Sequence, residues 1–322
     1  QRWKDEPFAC FLPMPSSARG YGVVTCGTQT ARWRDLDRPD AVLKTVEFPF
    51  PPRRMSVAAG RLWVLGPSRS TRLFSVAVDG TDPRFVDTPM ERLEGYTVSP
   101  DGTTVAVSGR GPDPVVLLEV ESSEVIRTFD PHRDPVKWLT FSPNGRQLIT
   151  LSGGTMKGSV MGSQRDNAVR IFAVEDGALL LRDVAASRPS RAIFVDSRTL
   201  VVGTNGGSMF CYDTTSLEPK TRTFRAEDIE GSKSGDGFIA IRAVLGSITG
   251  LALSEDGKFL WTCVGDVSLN KGGFALWDLE SGDRLRWQPF ELMWDVTVSP
   301  DGEYLLIRTE DDAQVWIARP GD

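Results

Sequence analysis

The sequence predicts an all-β chain built as seven consecutive four-stranded antiparallel units, and three observations predict it. The first is a hexapeptide spelled twice, TVSPDG at Thr97–Gly102 and again at Thr297–Gly302. A β-branched apolar run entering Pro-Asp-Gly is a strand meeting a tight turn, because Pro presets φ and Gly accepts φ > 0. The second is a set of weaker echoes: LPMPS at Leu12–Ser16, VAAGR at Val57–Arg61, FSPNG at Phe141–Gly145, FVDSR at Phe194–Arg198 and LSEDG at Leu253–Gly257. Anchored on their apolar residues, the copies fall at 12, 57, 98, 141, 194, 253 and 298, with steps of 45, 41, 43, 53, 59 and 45 residues. The third is a second apolar run after each anchor with a large residue near its centre: Trp33, Phe74, Leu118, Phe172, Tyr212, Trp277 and Trp316.

Between anchor and large residue lies a short alternating strand such as Tyr304–Arg308 (YLLIR), and after it comes a turn such as VEDG at Val174–Gly177 or LESGD at Leu279–Asp283. Each unit therefore reads strand, PDG-type turn, strand, variable loop, strand, turn, strand. Four strands over about 40–45 residues, repeated along a chain, form the blades of a β-propeller. The 322 residues accommodate seven such blades in one domain spanning 1–322. The last repeat supplies strands near Trp294–Ser299, Tyr304–Arg308 and Gln314–Ala318 only. The N-terminal segment Gln1–Asp5 is expected to add the missing fourth strand, joining first and last blades and covering edges that would otherwise pair with other chains.

The S-P-D/N-G turns at Ser99, Ser142 and Ser299, with Trp277-Asp278 in ALWDLESGD, resemble the WD40 repeat family across essentially the whole chain. The resemblance implies a propeller of that type in a divergent, bacterial-looking form, used as a non-catalytic protein- or peptide-interaction module, a scaffold or sensor. It also departs from the family. The Gly-His dipeptide is missing except for the lone His132 in FDPHRDPVKW, and Trp-Asp survives once. The family's network of Trp, Ser/Thr, His and Asp cannot then be assembled in most blades. By position His132 matches the family's structural histidine, which implies a bond to an Asp of the following loop, Asp166; Trp277 and Asp278 take structural roles by the same comparison.

Composition narrows the functions. Lys and Arg number 37 against 43 Asp and Glu, a net charge of -6, which argues against generic nucleic-acid binding, where a basic surface supplies most of the affinity. Neither a bilayer-spanning apolar run nor a charged-then-apolar leader is present, so a cytoplasmic location without membrane contact is expected, with secretion or periplasmic export after processing as the alternative. A start at Gln1 is read as a piece of a larger polypeptide or a processed product. Cys10, Cys26, Cys211 and Cys263 stand far apart among apolar or small residues, the setting of buried packing thiols rather than metal ligands. One histidine leaves little for zinc sites or Ser-His-Asp chemistry, so no metal, cofactor or catalytic residue is expected.

The loops between second and third strands lie on the face opposite the PDG turns. The insertions Gly153–Asn167 and Gly265–Gly273 fall there, as does Phe224–Ser247, which precedes an inner strand. Long loops on a rigid scaffold are where binding residues are carried. Counting back four from the anchors gives Phe8, Arg53, Glu94, Lys137, Ser190, Thr249 and Trp294, and counting back six adds Arg92 and Arg188. The expected binding set at the channel mouth is therefore Arg53, Arg92, Glu94, Lys137, Arg188 and Trp294. A basic sector facing an aromatic suits an acidic or phosphorylated protein partner of a monomeric domain, because Arg grips such groups bidentately. Local pairing with acids such as Asp134 is the plainer alternative. The competing function is an enzyme or small-ligand binder in the central channel, lactonase-like or dehydrogenase-like, with Glu6, Glu94, Arg53 and Arg92 as the groups on offer.

Overall fold

A computed structural model describes residues 1–67, 69–110, 113–153, 166–184, 188–220, 247–266 and 271–318. Residues 154–165, 224–246 and 267–270 of the three insertions lie outside the described residues. The described chain is all strand and turn. After β1 (Arg2–Lys4), blade 1 is β2 (Phe8–Pro13), β3 (Tyr21–Cys26), β4 (Thr30–Asp35) and β5 (Arg38–Glu47). Blade 2 is β6 (Arg54–Ala58), β7 (Arg61–Leu65), β8 (Arg72–Ala77) and β9 (Arg84–Asp87). Blade 3 is β10 (Leu93–Val98), β11 (Thr104–Gly109), β12 (Val116–Glu119) and β13 (Val125–Thr128). Blade 4 is β14 (Val136–Phe141), β15 (Gln147–Ser152), β16 (Val169–Ala173) and β17 (Leu179–Asp183). Blade 5 is β18 (Pro189–Phe194), β19 (Thr199–Thr204), β20 (Met209–Asp213) and β21 (Glu218–Lys220). Blade 6 is β22 (Ser247–Leu253), β23 (Phe259–Asp266), β24 (Lys271–Asp278) and β25 (Arg284–Phe290). Blade 7 is β26 (Asp295–Val298), β27 (Tyr304–Arg308) and β28 (Asp312–Ile317), completed on its outer edge by β1.

The seven sheets are antiparallel meanders, and β1 pairs β28 in the register Arg2↔Gln314, Trp3↔Ala313 and Lys4↔Asp312. Closure by the N-terminal strand thus stands as the sequence implies. All six residues of the second strand β3 are buried, as are all six of β19. Strands covered on both faces by neighbouring blades read as continuous apolar runs, and VVTC and TLVVG do so. The outer strands face water, and β5 and β13 are largely exposed.

Seven clusters of buried side chains fill the seven gaps between adjacent blades. Blades 1 and 2 share Leu12, Trp33, Leu62 and Phe74, and blades 5 and 6 share Val201, Met209, Leu260 and Trp277. The closing gap, between blades 7 and 1, holds Trp3, Phe11, Tyr21, Val23, Leu306 and Ala313. Six of the seven large residues that marked the third strands in the sequence are buried in these clusters, and Trp316 is packed half-buried against one.

The repeated hexapeptide has a local mechanism. The Ser99 hydroxyl donates to Asp101 at 2.5 Å and accepts the Thr104 N–H at 3.0 Å, tying the end of β10 to the start of β11. Ser299 makes the same pair of bonds to Asp301 and the Tyr304 N–H, at 2.5 and 3.0 Å. Gly102 and Gly302 follow at φ 75 and 72, the left-handed region that disfavours any side chain. Ser142 with Asn144 and Ser254 with Asp256 repeat the arrangement, so the motif is a side-chain-locked turn between first and second strands.

Candidate functional site

The innermost strands start at the channel end opposite these turns. In four blades the pairing of first and second strands slips by one residue at that start: between Leu93 and Gly95, Val136 and Trp138, Pro189 and Arg191, and Ile248 and Gly250. The residue skipped in each case is Glu94, Lys137, Ser190 or Thr249, so these four expected mouth positions are the extra residues of β-bulges. Arg53 and Trp294 sit equivalently. The Arg53 N–H donates to the Leu65 carbonyl while Arg54 pairs with Leu65, and the Trp294 N–H donates to the Arg308 carbonyl while Asp295 pairs with Arg308.

Of the expected binding set, the structure gathers Arg53, Glu94 and Lys137. Arg53 bridges blades 2 and 3, its guanidinium 3.2 Å from the Glu94 carboxylate and donating to the Leu93 and Glu94 carbonyls at 2.7 and 3.0 Å. Lys137 is half-buried, and burial lowers its pKa against the pull of Glu94 and Asp134. Arg92 is exposed just before β10, Arg188 precedes β18 at φ 55, and Trp294 is half-buried beside Asp295. Asp134 spends its carboxylate on the Asp166 N–H at 2.8 Å rather than on the mouth cations. Ser190 ties blade 5 to blade 6 by donating to the Ile248 carbonyl at 2.7 Å.

Below this mouth the channel widens into a cavity of about 490 Å³. Phe8, Arg54, Trp138, Asp295, Thr297 and Arg308 are among its walls. Position three before the anchor, one residue further in than the expected ring, carries Ala9, Arg54, Gly95, Trp138, Arg191, Gly250 and Asp295 in blades 1 to 7. Arg54, Arg191 and Arg308 are the functional candidates that counting from the turns passed over. A strand's two-residue alternation contains the signal: positions three and one before the anchor share a face, and the intervening Cys10, Tyr96, Leu139, Ala192 and Val296 are buried core.

Arg54 stacks on Trp138 at 4.0 Å from the ring centre and Arg191 on the same ring at 4.7 Å, while Arg308 stacks on Phe8 at 4.6 Å. Among the described residues, none of the three has a carboxylate within 4.0 Å, and the buried Nε atoms of Arg191 and Arg308 have no hydrogen-bond partner. Asp295, paired opposite Arg308 in the sheet, is the one carboxylate of the cavity wall. Burial pushes the Arg191 pKa down to about 10, with Asp295 opposing and Arg54 and Arg308 adding to the fall. Arg308 moves the same way for the same reasons.

The residues assigned structural roles lie away from the channel. His132 Nε2 is 2.7 Å from Thr150 Oγ1, and its Nδ1 is 3.5 Å from Asp166 without a hydrogen bond. Asp166 instead receives Arg170 at 2.7 Å and Arg182 at 2.9 Å. In blade 6 the Trp277 indole donates to Thr262 at 3.0 Å, and Asp278 accepts the Glu280 and Ser281 N–H groups. Blade 4 therefore joins His132 to Thr150 without the expected bond from His132 to Asp166, and blade 6 joins Trp277 to Thr262. All four cysteines are free and buried, and burial raises the thiols of Cys10 and Cys26 to about 12.

A seven-bladed ring with S-P-D-G turns and a buried His, Thr and Asp in one blade can be set beside known proteins. The family described as "WD domain, G-beta repeat" matches residues 123–172, which take in the outer strand of blade 3 and most of the first three strands of blade 4 with His132, Thr150 and Asp166. The protein is a seven-bladed β-propeller that resembles the WD40 repeat in the matched stretch. No curated protein sequence matches. Among solved structures, Kuenenia stuttgartiensis hydrazine synthase is similar with a TM-score of 0.69 over 94% of this chain and 93% of that one, at 14% identity. That likeness is one of fold. The arrangement is shared by 1696 solved chains, so function has to be argued from the site.

Proposed function

We propose that this WD40-like propeller is a non-catalytic interaction module, a scaffold or sensor that binds an acidic or phosphorylated protein segment at the channel mouth. One observation carries the reading: on a protein of net charge -6, the described mouth groups Arg53, Arg92, Lys137 and Arg188 outnumber Glu94, with further arginines directly beneath. Cations clustered over a low-dielectric rim focus a positive potential even on an acidic molecule. Arg92 is the exposed one of the four and would meet a partner first, with Arg188 half-buried beside β18.

An array of acidic and phosphorylated peptides tests this. The wild-type chain is expected to bind a subset in a salt-sensitive way. Arg92→Glu combined with Arg188→Glu should weaken that binding strongly and flatten its salt dependence, with the melting temperature almost unchanged, since exposed charges add little stability. Equal binding by both proteins would reject the face.

The second reading, an enzyme or small-ligand binder of the channel, draws support from the 490 Å³ cavity, a size that takes a small molecule. Against its catalytic form stands the shortage of acid–base groups on the cavity wall, where Asp295 faces arginines and aromatic rings.

A further inference from the structure

We propose that the throat of the channel is a binding site for a small dianionic oxyacid, of the phosphate-monoester or dicarboxylate class, held by Arg54 and Arg308 with the Thr297 hydroxyl and favoured by the charge of the neighbouring Arg191. This goes beyond partner docking on the rim, because different residues at a different depth are involved.

The argument starts from an imbalance of charge. Arg54 and Arg308 line the cavity, and Arg191, which feels the charges of both and of Asp295, shares the wall residue Trp138 with Arg54, so these two guanidiniums are no more than about 9 Å apart. A cation withdrawn from water is costly unless an anion and hydrogen-bond acceptors replace the water it loses. Stacking on Trp138, Tyr96 and Phe8 compensates the faces of the guanidiniums; Arg191 gives one N–H to the Ser190 carbonyl at 2.9 Å, while its Nε and that of Arg308 stay buried without an acceptor. Asp295 supplies one negative charge against three positive ones, and no guanidinium closes on it to within 4.0 Å among the described residues. The surplus is two charges, which selects a dianion over a monoanion.

An independent observation lies one layer deeper. Thr297 lines the same cavity, and its buried hydroxyl has no hydrogen-bond partner in the protein. Its neighbour across the channel at the same repeat position, Ser56, is satisfied by Tyr96 at 2.8 Å. An oxyacid reaching from the arginines to Thr297 would use both the orphaned Nε donors and the orphaned hydroxyl. Guanidinium forks match the planar edge of a carboxylate or two oxygens of a phosphate, which fixes the ligand's chemistry.

Inorganic phosphate, succinate and, as a monoanionic control, acetate would be titrated into the whole chain at constant ionic strength, with binding read by calorimetry and by melting temperature. Phosphate or succinate is expected to bind saturably with one site and raise the melting temperature, and acetate is not. Arg54→Gln and Arg308→Gln should each weaken that binding by roughly tenfold or more, as loss of a charge-assisted bond does. Asp295→Asn, which deletes the repelling carboxylate, should tighten it. The rim pair Arg92→Glu and Arg188→Glu should leave it in place, so failure of the rim reading and failure of this one are separable. Absence of saturable binding by both dianions, or affinity unchanged in the two Arg→Gln proteins, would overturn the proposal. Retention by a phosphorylated peptide with neither free dianion bound would also overturn it, by giving the throat to a partner's side chain.

Discussion

His132 is the chain's one imidazole, and its surroundings decide its charge. The side chain is 1% exposed, with Arg170 and Arg182 beside it on Asp166. Burial pushes its pKa well below the ordinary 6.5, and the Arg170 and Arg182 charges add to the fall while Asp166 opposes it. The folded pKa therefore lies below the unfolded one, so on acidification the unfolded chain takes up the proton first. The stability this contributes is complete above pH ~6.5 and is lost as pH falls, with a slope of up to about 1.4 kcal/mol per pH unit for one proton. Asp166, itself held below the usual 3.8, begins to lose its charge only at lower pH, which leaves pH 6.5 to 4.5 as the window for the histidine. In urea melts across that window, His132→Gln should show a shallower fall of midpoint with pH than the wild type. Parallel curves would mean that the imidazole is charged in the fold. That His132 and Asp166 lie near each other was legible by position, but the bond expected between them is not made, and Arg170 and Arg182 as the actual partners of Asp166 were not legible, because cross-strand neighbours on β16 and β17 are fixed by register rather than by spacing in the chain.

At the level of elements, β1 is held by more than its three backbone pairs. Asp312, 1% exposed, takes the Arg2 guanidinium and accepts the Asp5 N–H at 3.3 Å, and Trp3 enters the closing core. The run Glu310-Asp311-Asp312 reads in sequence as a solvated tight turn, and only the incoming strand makes Asp312 a buried anchor. Deleting Gln1–Asp5 should lower the melting temperature markedly. Asp312→Asn should cost stability in the whole chain and much less in the truncated one, and that non-additivity measures the coupling. Equal costs in both backgrounds would place Asp312 outside the closure. Anchors, turns and blade count were legible because each PDG-type turn is locked by residues within six positions of one another. The site was not, because a count of four from the anchor ends one residue above the strand: it lands on Arg53 and Trp294 when Arg54 and Asp295 are the residues that line the channel, and in blades 3 to 6 it lands on the bulged Glu94, Lys137, Ser190 and Thr249.

The whole molecule is a ring whose seven inter-blade cores are unequal. Among the described residues, the gap between blades 7 and 1 buries six apolar side chains, against eight to twelve in the others. Polar ties supplement it: Arg19 reaches Glu303 at 3.0 Å and Asp37 at 3.0 Å, and the Tyr21 hydroxyl donates to Asp301 at 2.5 Å. Burial and the Asp301 bond hold the Tyr21 phenol neutral well above its usual range. Polar ties near the surface contribute less per contact than buried apolar area and weaken with salt, so this gap is where opening costs least. It is also the gap beside which the closing strand arrives from the far end of the chain, held to β28 by three paired residues with no connecting turn. Local opening exposes such segments to solvent while the rest stays protected. Native-state hydrogen exchange should therefore find amides of β1, β28 and β3 exchanging ahead of the second strands elsewhere, β11, β15 and β19, with the difference widening at high salt. First exchange in the gap between blades 2 and 3, filled by twelve buried residues including Trp63 and Tyr96, would show that the ring does not open at its seam.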